Sequence, residues 1–398
     1  MKKILFVIPT MRMGGAEQSL VSLLNQLDTN KYDIDVLLFE KKGELLERIS
    51  NKINILETDT ITRSMMLEFR YYFRDLLKER HFFAAVIRIA MLINSKIEDV
   101  TKHKNFFNWN IAKYFVEDRQ KRYDVAIGYL EGVTDAYVID KVHAEKKIGW
   151  IHTDFSKAQR HFRAEGRYYE QFNNIAIISS ECKKHFLEHY PSMSEKTVII
   201  ENITDRQNII KKATEKLYKS VLWGKHVFVT VGRLEYVKGI DLAIEAAAVL
   251  RDRNIDFIWH VFGDGAMRNE LEMKIKKLGL ENIFFLDGTT LNPYKYISKA
   301  DLIIQPSRNE GKSMVLDESK LLCKPIVVTN YPSAKDQIEN EKTGIIVDMN
   351  PENIADGIER VLKDHILRDK LIKNCSDEKD NTELMLEKID EMFGNKEF

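Results

Sequence analysis

Short apolar runs without polar alternation recur along this chain. KILFVI, IDVLLF, DVAIGY, IAIIS and TVII occupy the first half, and VFVTVG, FIWHVFG, NIFFL, LIIQP and IVVT the second. A strand with one wet face alternates, whereas a continuous apolar run fits a strand buried on both faces, as in a parallel sheet covered by helices. Helical patterns lie between the runs, at Glu17 to Leu27, Asp241 to Arg253, Met267 to Leu278 and Ser313 to Leu322. This alternation predicts an α/β fold with doubly wound sheets. A chain of 398 residues is expected to form two or three domains at roughly 150 residues each.

The alternation restarts after the lysine-rich stretch from Thr204 to His226. Two Rossmann-like domains are therefore expected, residues 1–205 and 206–378, with a last helix, 379–398, packing back on the first. Ligands of open α/β sheets sit beyond the carboxyl ends of the strands, so two such domains facing across a cleft would place the site there. Residues 63–122 interrupt the pattern with thirteen Lys/Arg, seven Asp/Glu and eleven aromatics, helical periodicity and no clear strand. Either a helical layer over the sheet or a basic aromatic insertion resting on an anionic membrane fits that composition.

The bulk numbers exclude several classes. Lys plus Arg (61) equals Asp plus Glu (61), so no global field points to nucleic acid. Cys182, Cys323 and Cys375 are odd in number and far apart, which argues against a disulfide framework and for a reducing compartment. The opening MKKILFVIPT reads as a first buried strand rather than a signal peptide. No apolar run reaches the roughly 18 residues of a membrane span. Asp33-Ile34-Asp35 begins a strand rather than ending one, which argues against a metal role. His143, His152, His161, His185 and His189 share one stretch but have no zinc spacing. Asn202-Ile203-Thr204 is a sequon that a cytosolic chain leaves unmodified.

Four stretches carry chemistry. Gly14 and Gly15 make a strand-to-helix turn in RMGGAEQSL, where free helix amides favour an anion. Arg233 and Lys238 follow VFVTVG at a strand's carboxyl end, where two cations can stabilise a departing diphosphate. Gly263-Asp264-Gly265 ends another strand and suits a tight turn or a close backbone approach to a ligand. The stretch PSRNEGKSMVLDES contains Gly311-Lys312-Ser313, the tail of a P-loop, but Pro306 stands where the loop's first glycine belongs. Proline has no amide to donate, so this is no P-loop. Its Glu310 and Glu318 are eight positions apart, about two helical turns, so a helix starting near Ser313 puts them on one face.

The ordered set GGAE, GR-x4-KG, GDG, ADLIIQPS and E-x7-E followed by CKPIVVTN resembles the retaining GT-B glycosyltransferases of family four, most strongly from Val227 to Val347. The resemblance implies two Rossmann-like domains and transfer of a hexose from a nucleotide diphosphate sugar, a UDP-sugar above others. The acceptor would be a glycan or a lipid-linked glycan in surface polysaccharide synthesis. It also implies an enzyme with no cofactor and no required metal, while the cysteine usage points to the cytoplasm and the basic aromatic insertion to peripheral association with the inner membrane face. By matched position, Arg233 and Lys238 grip the donor diphosphate. Glu310 faces the donor sugar, and Glu318 bonds the ribose. The amides of Gly311, Lys312, Ser313 and Met314 surround sugar and diphosphate. Gly14 and Gly15 approach the donor from the first domain, and His152 stands near the anomeric centre. Tyr331, Ser333, Lys312 and Asp317 depart from the family's usual residues, which bears on the donor sugar rather than the class. Two other readings of such a chain are a non-catalytic glycan-binding subunit and a sugar phosphorylase.

Overall fold

The computed structural model describes residues 1–67, 69–101, 107–156, 162–216, 226–377 and 381–394. His161 and much of the segment between Thr204 and His226 lie outside the described residues. The chain divides into two compact units. One is Met1–Ile203 together with Thr382–Phe398, and the other is Thr204–Asn381.

The first unit is built on a parallel sheet of seven strands: β1 (Lys2–Ile8), β2 (Tyr32–Leu38), β3 (Asn54–Glu57), β4 (Arg119–Gly128), β5 (Val142–Ile151), β6 (Asn174–Ile177) and β7 (Thr197–Ile199). Their order is β3-β2-β1-β4-β5-β6-β7, so the direction of winding reverses between β1 and β4. The apolar run of β1 is sealed on both faces, with Ile4 to Ile8 fully buried between β2 and β4. That is why it shows no alternation.

Between β3 and β4 the chain forms helices at Thr60–Met66, Phe69–Lys78, Phe82–Thr101 and Phe107–Ala112. Asp59 caps the first by accepting from the amide of Thr62 at 2.6 Å. The expectation that residues 63–122 hold no strand is corrected at their end, because β4 begins at Arg119. Its first residues, RQKR, are polar and mostly exposed, so hydropathy does not mark them.

The helix Thr382–Met392 completes the first unit's core with Met385, Ile389, Met392 and Phe393. The Phe393 ring meets Tyr32 edge-on at 5.5 Å, and the Tyr32 hydroxyl donates to Asp390 at 2.6 Å.

The second unit holds six parallel strands: β8 (His226–Val231), β9 (Phe257–Phe262), β10 (Phe284–Gly288), β11 (Leu302–Gln305), β12 (Ile326–Thr329) and β13 (Ile345–Val347). Their order, β10-β9-β8-β11-β12-β13, reverses between β8 and β11. Trp259 is fully buried beside Phe228 and Phe284. Its indole donates to the Thr230 hydroxyl at 3.0 Å, which in turn donates to the Ile304 carbonyl at 2.8 Å. Both units thus have a switch point, where loops diverge and leave room for a ligand.

Candidate active site

At the second unit's switch point, the loop after β8 brings Lys238 against Glu310 of the loop after β11. The Lys238 Nζ lies 2.7 and 2.9 Å from the two carboxylate oxygens. Oε1 of Glu310 also accepts from Gln305 Nε2 at 2.8 Å and from the Ser307 hydroxyl at 2.7 Å. Oε2 has one bond among the described residues, from Lys238. A carboxylate oxygen has two acceptor sites, so Oε2 keeps capacity for another donor. The Glu310 side chain is 11% exposed and that of Lys238 is 20% exposed. A charged pair at this depth needs its lone pairs met, and Gln305 and Ser307 do so.

Backbone geometry makes the contact. Gly239 has φ +65°, and a Cβ there would stand 1.9 Å from the Pro306 carbonyl oxygen. Arg308 locks the same two loops. It pairs with both oxygens of Asp241 at 2.7 Å, donates to the Tyr236 carbonyl at 2.8 Å and stacks 4.0 Å over the Tyr236 ring. Burial would raise the Asp241 pKa, but the bonds and charge of Arg308 outweigh it and hold the carboxyl below its ordinary range. Gly263 and Gly265 bring the loop after β9 onto Gly232–Leu234, since a Cβ on either would meet the Gly232 or the Leu234 carbonyl. Of the two sequence expectations for GDG, the close approach is to protein backbone.

Arg233 follows the same strand end, but its guanidinium bonds Glu235 at 2.9 Å and its side chain is 60% exposed. Among the described residues it does not join the Lys238–Glu310 cluster.

The helix Met314–Leu321 begins with Ser313 at its N-cap, and Met314 is its first residue. The Ser313 amide donates to Gln337 Oε1 at 2.7 Å, and Gln337 Nε2 donates back to the Ser313 carbonyl at 2.7 Å. Expecting all four amides from Gly311 to Met314 to face a ligand is thus corrected at Ser313. Buried Gln337 meets a donor that a helix start would otherwise leave open. Lys312 turns inward at 7% exposure, 3.8 Å from Asp317. Glu318 stands in the second turn, buried, and accepts from the Tyr294 hydroxyl at 3.0 Å.

Residues 214–377 match the family profile described as Glycosyl transferases group 1. This unit is a glycosyl transferases group 1 domain. An uncharacterized glycosyltransferase of Methanocaldococcus jannaschii is 27% identical over 176 residues, a match spanning 43% of each chain. The N-acetylgalactosamine-N,N'-diacetylbacillosaminyl-diphospho-undecaprenol 4-alpha-N-acetylgalactosaminyltransferase of Campylobacter jejuni is 26% identical over 377 residues, covering 94% of this chain and 93% of that one. A crystal structure of HepE from Anabaena in complex with UDP and glucose superposes with a TM-score of 0.72 at 18% identity, covering 100% of both chains. The fold is GT-B.

Outside the glycosyl transferases group 1 domain, the first unit gathers its own residues at its switch point. Gly14 is the extended N-cap of the helix Gly15–Gln26. The Glu17 carboxylate folds over it, so that a Cβ on Gly14 would meet Glu17 Oε2 at 2.1 Å. Sequence reasoning saw an open anion-favouring turn, whereas here an acid of the chain covers it. His152 follows β5, its ring 4.9 Å from Tyr129. Its Nε2 is buried with no hydrogen-bond partner among the described residues. Burial lowers its pKa to about 4 against an opposing pull from Glu131, so the ring is neutral at pH 7. Two carboxylates hold its loop. Glu131 accepts from the His152 amide at 3.0 Å and from the Thr153 hydroxyl. Asp154 bonds His185 at 2.7 Å and the amide of Ser156 at 2.9 Å. Asn202 of the sequon is buried and accepts from Ser19 at 2.8 Å.

Gln305, Ser307, Arg308, Asp241 and Gln337 are the site residues that sequence reasoning missed. Gln305 and Ser307 bracket a strand end and stand within five positions of Glu310, which was a usable signal. Nothing local marks Asp241 or Gln337, which meet their partners across 67 and 24 positions.

Proposed function

We propose that the chain is a retaining hexosyltransferase that takes its sugar from a nucleotide diphosphate donor, a UDP-sugar above others. Its acceptor is a glycan or lipid-linked glycan of surface polysaccharide synthesis. The observation that carries this reading is the Lys238–Glu310 pair at the switch point, with an acceptor site left on Glu310 Oε2. Lys238 supplies positive charge for the diphosphate, and Arg233 turns from Glu235 to add a second cation. With two cations from the chain, the leaving group needs no metal ion. Oε2 of Glu310 faces the donor sugar, where it accepts a hydroxyl and stabilises positive charge growing at the anomeric carbon. Glu318 takes the ribose hydroxyls once Tyr294 yields its bond. Neutral His152 offers its buried Nε2 to a sugar hydroxyl.

Transfer breaks the bond between the anomeric carbon and the diphosphate oxygen and forms one to the acceptor oxygen on the same face. The acceptor's proton passes to the departing diphosphate. The Campylobacter relative is named for an alpha linkage and a diphospho-undecaprenol acceptor, and the HepE structure holds UDP. The first supports a lipid-linked acceptor and the second a UDP donor.

The test is a thermal-shift panel of UDP, GDP, ADP and their sugars, with and without EDTA. A ligand bound only to the folded state raises Tm with the logarithm of its saturation. UDP is expected to raise it equally in both buffers. No shift from any nucleotide, with one from inorganic phosphate, would reverse the reading in favour of a phosphorylase.

A further inference from the structure

In the first unit, backbone bonds sew the loop after β2 to the loop after β1. The Glu40 amide donates to the Pro9 carbonyl at 3.1 Å, the Met11 amide to the Lys42 carbonyl at 2.8 Å and the Leu45 amide to the Met11 carbonyl at 3.0 Å. Gly43 permits this approach. Its φ is +130°, and a Cβ there would stand 2.0 Å from the Met11 carbonyl oxygen. The two loops therefore present Arg12, Glu40 and Lys42 together, at the carboxyl ends of paired strands, where α/β sheets bind ligands. Arg12 lies in the loop that leaves the switch-point strand β1, two positions before Gly14.

This cluster has two cations and one acid, and its cations keep open donors. The Arg12 guanidinium lies 3.6 Å from Glu40 Oε2, and the Lys42 ammonium 3.9 Å from Oε1. Both separations exceed a hydrogen bond. Neither cationic group makes a hydrogen bond elsewhere among the described residues. Their side chains are 53% and 61% exposed, against 14% for Glu40. Glu40 is held from within by the buried Tyr72, whose hydroxyl donates to it. The adjoining Arg63 is matched by Glu57 at 3.5 Å, so the surplus charge belongs to Arg12 and Lys42. One inward carboxylate thus gathers two outward cations. Converging cations with open donors suit an oxyanion, whose lone pairs can take both at once.

We propose that Arg12 and Lys42 form a subsite for an oxyanion carried by the acceptor. The inference deepens the acceptor half of the proposed function and rests on it for its purpose. A glycan acceptor offers such a group as the diphosphate of a lipid-linked end or as a sugar carboxylate. The test is calorimetry at low salt with inorganic pyrophosphate and with methyl glucuronide, with Tm recorded throughout. It is run in an Arg233→Ala/Lys238→Ala background, which disables the candidate donor diphosphate site. Binding is then read without UDP and without transfer, so this inference and the donor reading fail separately. Adding Arg12→Gln/Lys42→Gln is expected to weaken binding roughly tenfold or more. Tm is expected to stay unchanged, because both side chains are exposed. Adding Glu40→Gln instead keeps a partner for Tyr72 and removes the facing negative charge. It is expected to tighten binding several-fold, which a purely structural Glu40 would not do. Tighter pyrophosphate than glucuronide assigns the lipid-linked end, and the reverse order a charged glycan. The proposal is overturned if neither anion binds in that background, if the Arg12/Lys42 change leaves affinity unaltered, or if Glu40→Gln does not raise it.

Discussion

Glu310 holds its place through three neighbours rather than one, which separates its position from its charge. Glu310→Gln keeps the size and loses the anion. It is expected to lower donor turnover by about 100-fold or more, while UDP affinity by calorimetry stays within a few-fold. Unchanged turnover would remove Glu310 from the chemistry. His152 gives a pH signature. Its folded pKa, about 4, lies below the ordinary 6.5, so the unfolded chain binds a proton first as pH falls. The stability tied to the neutral ring is complete above pH 6.5 and drains away as pH falls toward 4. Linkage puts the loss between pH 7 and 5 at about 2 kcal/mol. Urea midpoints at the two pH values are expected to differ less in His152→Gln, and an identical pH slope in both proteins would refute the assignment.

The loops after β8 and β11 act as one element because Gly239 lets them touch. A methyl group there meets both the positive φ and the Pro306 carbonyl. Gly239→Ala is expected to destabilise by roughly 2 kcal/mol or more and to weaken UDP binding, because Lys238 is the adjacent residue. Intact UDP affinity would show that the turn does not position Lys238. At this scale the sequence was readable where burial is two-sided. VFVTVG and LIIQP stand at β8 and β11, and the helix expected from Ser313 begins at Met314. It was unreadable where a strand is short or polar. β3 (NILE) has no buried residue, and the start of β4 is RQKR. The site was legible as residues and not as bonds. Glu310, Lys238 and Glu318 stood out in motifs, whereas the Glu17 cover and the Gln337 clamp arise only once the chain folds.

The molecule as a whole is two units, one continuous and one assembled from both ends of the chain. Ile389 is fully buried in the first unit's core. Ile389→Ala is expected to cost 2–4 kcal/mol, as deletions of buried methyl groups of about this size do. It would lower one unfolding transition while UDP binding by the second unit persists, and loss of both together would show that the units do not unfold separately. The split also sets an order of assembly on the ribosome. The first 203 residues emerge without the helix that covers Phe6 and Tyr32, and must wait for the 178 residues from 204 to 381. At about 5–20 residues per second, that delay is on the order of 10–40 s. The later-made unit can close at once from contiguous chain, so synthesis and completion run in opposite orders. The nascent N-terminal half therefore lacks the packing of Phe393 on Phe6 and Tyr32 until the end of the chain is made.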